Sequence, residues 1–162
     1  MDAKKIARYG LLVALALVLS YAESLVPLSV AVPGVKLGLP NLVVIFALYR
    51  IGTKEAAVLS VLRVVLVSAM FGNAYSLWYS LAGAVLSLAV MSALKQTKFF
   101  GCTGVSVAGG VCHNLGQIAV AMLVLRSAGV AYYLPVLVFS GTLAGVAIGA
   151  VGAVMVKRIR FS

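Results

Sequence analysis

The chain has 162 residues, 64% of them hydrophobic and only 10% charged, with a mean hydropathy of +1.16. Thirteen basic residues against three acidic ones give a formal charge of +10. The hydropathy excludes an ordinary soluble domain, and the basic residues sit at the ends of apolar runs, which argues against a nucleic-acid partner.

A hydrocarbon core of ~30 Å needs about 20 helical residues per crossing. Six apolar stretches are predicted, at 7–26, 37–49, 56–71, 74–94, 103–125 and 130–156, as one transmembrane domain over 1–162 with almost nothing left for a soluble unit. Lys4, Lys5 and Arg8 precede the first stretch, Arg50 and Lys54 follow the second, Lys95 and Lys98 the fourth, and Lys157, Arg158 and Arg160 the sixth. The opposite side receives only Lys36 and Arg126. The positive-inside rule then puts both termini in the cytoplasm of an all-α, six-helix integral membrane protein, with the basic ends meeting the lipid bilayer.

The first stretch admits a second reading. Lys4 to Arg8, the apolar run Tyr9–Leu19 and Ser20-Tyr21-Ala22 resemble a secretory signal with a small-x-small cleavage site, which would leave five spans. A retained first helix is the expectation, because nothing soluble follows that needs export. Glu23, at its end, is the one carboxylate expected within the membrane or at its outer boundary, since Asp2 is terminal and Glu55 suits the N-terminus of the third helix.

The loop Val26–Val35 is itself mostly apolar and leads through Lys36 into a short second span that starts near Asn41. Such a span must tilt, thin the bilayer or be sheltered by protein. The apolar loop reads either as a lid over an outward pocket or as an interfacial segment. In the third span, Arg63 costs about 2.5 to 3.5 kcal/mol at mid-helix and needs a partner, a wet cavity or a snorkelling path to the cytoplasm. Asn73, Tyr75 and Trp78 lie in the aromatic and polar junction that opens the fourth span, where an interfacial belt competes with ligand stacking.

Mid-way along the fifth span, His113, Asn114 and Gln117 fall on one helical face at spacings of three and four. Gly109, Gly110 and Gly116 beside them let another helix or a ligand approach the backbone. An interhelical clamp and a ligand contact both fit this cluster. Cys102 and Cys112 are about 15 Å apart at helical rise, too far for a disulfide. One histidine and scattered carboxylates make no metal site, and no cofactor is implied. Without a phosphate-binding loop or an Asp-rich magnesium motif, a self-sufficient enzyme is not expected.

Gly34-Val35-Lys36-Leu37-Gly38-Leu39-Pro40-Asn41, Leu62-Arg63, Phe71-Gly72-Asn73, Ser80-Leu81-Ala82-Gly83 and His113-Asn114-Leu115-Gly116-Gln117 resemble the signature of the Gx transporter family. Its members also carry the name heptaprenyl diphosphate synthase component I, and the resemblance runs from about Lys4 to Lys157. The family is similar to the substrate-binding S components of energy-coupling factor importers, six-helix proteins with an outward pocket. The resemblance implies an S-component-like bundle in a bacterial cytoplasmic membrane. It implies a small-molecule ligand held by His113, Asn114, Gln117, Asn73, Tyr75, Trp78, Lys36, Asn41 and Arg63, and a coupling subunit with its ATPases as partners. It also implies a docking stripe of small residues on the first helix, here Gly10, Ala14, Ala16 and Ser20. A non-catalytic accessory of quinone- or flavin-dependent extracellular electron transfer, or of isoprenoid metabolism, is the alternative. Lys36, Arg63 and Arg126 are too few charges to name the ligand.

Overall fold

A computed structural model describes residues 3–26 and 36–159. Among these the chain is all helical: α1 Ala3–Ser24, α2 Asn41–Arg50, α3 Thr53–Phe71, α4 Ala74–Thr97, α5 Cys102–Leu125 and α6 Leu134–Arg158, with a 3-10 turn at Ala128–Tyr133 before α6. Four segments, Ala3–Ser24, Ala74–Thr97, Cys102–Leu125 and Ala128–Arg158, are long and apolar enough to cross a membrane. They make this a multi-pass membrane protein. Helix α3 has 19 residues but carries Lys54, Glu55 and Arg63, so length and composition alone do not single it out.

Local chemistry sets the helix ends. Gly38 adopts a left-handed φ of 74°, a conformation that costs an L side chain roughly 1–2 kcal/mol. Its carbonyl accepts the Asn41 N–H at 2.8 Å, so residues 37–40 form a turn and the second helix begins four residues later than the apolar run. Asn73 caps α4: its side chain accepts the Ser76 N–H at 2.8 Å while its own N–H donates to Ser76 Oγ at 3.0 Å. Pro135 opens α6, where a missing N–H is harmless.

The core lies around α2. Val43, Val44, Ile45, Phe46, Ala47 and Leu48 are all buried, and Leu12, Ala16, Ala56, Leu59, Met91 and Val105 pack around them. A helix of 10 residues rises only about 15 Å, and here it is sheltered by α1, α3 and α6. Shelter by protein, of the three solutions open to a short span, is the one adopted. Being apolar on every side is what such an enclosed helix requires.

Helices α4, α5 and α6 pack through glycines. A Cβ on Gly109 would meet Met91 Sδ at 2.5 Å, and one on Gly116 would meet the Ala82 carbonyl at 2.8 Å. On the other side of α5, a Cβ on Gly110 would lie 2.5 Å from the Gly141 carbonyl, and on Gly145 2.5 Å from Val107 Cα. All three α5 glycines of the polar cluster therefore admit a neighbouring helix. Close backbone approach of this kind is how helices associate where no hydrophobic effect drives them together.

The cations at the far end of the bundle also bond to backbone. Lys95 Nζ donates to the Leu48 carbonyl at 2.5 Å, and Arg50 donates to the Val156 carbonyl. Both acceptors lie in the last turns of helices, where carbonyls lack intrahelical partners.

Candidate functional site

The ends of α1 and α3 and the starts of α2, α4 and α6 surround a cavity of about 340 Å³, closed from below by the middle of α5. While Ile51–Gly52 lies at the opposite end of the bundle, the short connection Gly72–Asn73 joins the end of α3 to the start of α4 at the cavity. Its size falls within the range of small-molecule sites. The lining mixes apolar side chains, among them Val64, Val67 and Phe71, with Glu23, Lys36, Asn41, Arg63, His113 and Asn114.

Each polar group arrives by a different route. Glu23, on the last turn of α1, accepts the Gly38 N–H through Oε1 at 2.8 Å, which ties α1 to the turn before α2. The same turn places Lys36 and Asn41 on the cavity. Arg63 comes from mid-α3. Its Nε is buried and has no hydrogen-bond partner among the described residues. Arg63 lines the same cavity as Glu23. Glu23 and Arg63 form no ion pair among the described residues, yet they share one cavity and each other's field.

Lys36 is exposed by surface area, but that surface faces the cavity and protein surrounds it on most sides. Desolvation therefore lowers its pKa from the ordinary lysine value. Glu23 opposes the shift and Arg63 adds to it.

Asn114 is buried and donates from Nδ2 to the Leu137 carbonyl of α6 at 2.6 Å. It is an interhelical clamp that also borders the cavity. His113 borders the cavity and packs against α4, its Cε1 3.0 Å from where a Cβ on Gly83 would stand. Gln117 lies one turn further along α5, packed by its Cγ on Gly83 and off the cavity wall.

The fold does not gather the junction residues with these. Asn73 is exposed and occupied as the α4 cap. Tyr75 and Trp78 are 63% and 61% exposed and lie outside the cavity wall, on the outer surface of the bundle. Pro33, Gly34, Val35 and most of the loop read as a lid lie outside the described residues.

The small-residue stripe of α1 divides. Gly10 and Ala14 are exposed, whereas Ala16 and Ser20 are buried and Ser20 Oγ bonds back to the Ala16 carbonyl at 2.8 Å. Two residues along a helix rotate a side chain by about 200°, so Ala14 and Ala16 cannot share a face. The four residues therefore form no single exposed face, and only Gly10 and Ala14 of them are exposed.

Glu23, Ser68, Ser76, Ser80 and Gly141 line the cavity without having been assigned to it from sequence. For Gly141 a signal was present: Gly141, Gly145 and Gly149 recur every four residues in α6, the spacing of a close helix contact. The serines carry no signal of that kind.

Residues 12–155 match the model of a family described as heptaprenyl diphosphate synthase component I. No curated protein matches the chain, and no solved structure does.

Proposed function

The chain belongs to the heptaprenyl diphosphate synthase component I family, and from that premise and the cavity we propose that it is a membrane substrate-binding subunit of an energy-coupling factor-type importer. The observation that carries the reading is the position of the cavity. It sits at the end of the bundle away from Lys54, Lys95, Lys98, Lys157 and Arg158. With those cations on the cytoplasmic side of a bacterial inner membrane, both termini are cytoplasmic, all six helices belong to the membrane domain and the cavity faces outward. An outward pocket that mixes apolar and charged groups suits capture of a scarce metabolite.

The family's name points to an enzyme, but the residues favour a binding role. A prenyl diphosphate synthase must hold magnesium against a diphosphate, and the whole chain has one aspartate, Asp2. Energy would come from separate ATPase and coupling subunits, with the exposed face at Gly10 and Ala14 as the docking surface. Co-purification with an energy-coupling module in mild detergent tests this. The importer reading fails if the protein does not associate under conditions where an established S component does.

A further inference from the structure

We infer that the cavity takes an organic monoanion whose oxyanion head docks on Arg63 and Lys36 and whose apolar body lies against Val64, Val67 and Phe71. The inference deepens the proposed binding role and rests on it. Its basis is an imbalance inside the cavity. Two cations, Lys36 and Arg63, face one carboxylate, Glu23, which already accepts the Gly38 N–H. The charged groups on every wall of the cavity are those three, so its lining keeps one uncompensated positive charge among the described residues.

Arg63 supplies the geometry as well as the charge. Its Nε–H is buried and unbonded, and Arg63 makes no hydrogen bond or ion pair among the described residues. A guanidinium offers Nε–H and an adjacent Nη–H as a parallel fork that matches two oxygens of a carboxylate or phosphate. Lys36 makes no hydrogen bond among the described residues either, and a flexible ammonium can follow the head as a point charge. An uncharged ligand would leave the buried fork without an acceptor of its own strength. A cation would meet two like charges, and a dianion would exceed the compensation available.

The test uses benzoate and its neutral isostere benzamide on the purified full chain in nanodiscs, with binding read by titration of thermal unfolding. Benzoate should bind about tenfold or more tightly than benzamide, the factor expected for a charge-assisted hydrogen-bond pair. Arg63→Gln should bring the two ligands within about twofold of each other by removing that pair. Glu23→Gln keeps an acceptor for the Gly38 N–H and removes the negative charge, so it should tighten benzoate and leave benzamide unchanged. That gain separates a charge effect from a folding defect.

Equal affinity for the two probes, no binding of benzoate, or a preference that survives Arg63→Gln would overturn the inference. Association with the energy-coupling module without an anion preference overturns it alone and leaves the importer reading standing. An anion preference without association does the reverse.

Discussion

Asn114 Nδ2 donates to the Leu137 carbonyl at 2.6 Å, joining α5 to α6 at the floor of the cavity. The Leu137 carbonyl also accepts Ser140 Oγ at 3.1 Å, and Gly141, one turn on, leaves room for the Asn114 amide. The bond makes one member of the α5 polar cluster a structural clamp while its neighbour His113 stays at the cavity wall.

Asn114→Leu should therefore lower stability. Interhelical hydrogen bonds in membranes average about 0.6 kcal/mol and reach roughly 1.7 kcal/mol, and a buried bond with good geometry belongs in the upper half of that range. Reversible unfolding in mixed micelles measures the loss. No loss would remove Asn114 as a clamp.

His113→Ala should act on binding instead. Removing one buried hydrogen bond to a ligand costs about 1–3 kcal/mol, or roughly ten- to a hundredfold in affinity. Benzoate titration and thermal unfolding on the same variant separate the effects. Unchanged affinity with clearly reduced stability would assign His113 to packing on Gly83 alone.

Gly145→Leu and Gly10→Leu should behave oppositely. Even a Cβ on Gly145 meets Val107 Cα at 2.5 Å, so the α5–α6 crossing must open, at a cost of about 1–3 kcal/mol or more. A Cβ on Gly10 meets nothing within 4 Å, and the isolated protein should tolerate the change. If Gly10 and Ala14 form the docking face, Gly10→Leu should still abolish co-purification with the energy-coupling module. Retained association places docking elsewhere.

Asn73→Ala should cost about 1 kcal/mol through loss of the α4 cap and leave benzoate affinity unchanged. Asn73→Ser, which keeps a capping oxygen, should recover most of that stability. Thermal unfolding of both variants, alongside benzoate titration, checks the assignment. A large affinity loss in Asn73→Ala would return Asn73 to the binding site.

Hydropathy and end signals were enough to reveal a helical membrane protein and to place its helices within a few residues, because both are local properties of the chain. The lone buried Arg63 and the acidic Glu23 stood out for the same reason: a charge in an apolar run is visible without coordinates. The lateness of α2 was less legible, since Leu37–Pro40 is as apolar as the helix it precedes and only the Gly38 backbone makes it a turn.

Which polar residues meet was decided by tertiary structure. Asn73, Tyr75 and Trp78 sit near the cavity in sequence order, but the rotation of α4 turns both rings outward and the cap engages Asn73. Gln117 shares a helical face with His113, yet one turn further along α5 it packs against Gly83 of α4 and stays off the cavity wall. Glu23 and Arg63, 40 positions apart, reach one cavity because α1 and α3 both run towards the same end of the bundle. A sequence specifies a helix's faces, but which face turns inward depends on how closely its neighbours approach, and in this protein the glycines of α5 and α6 set that approach.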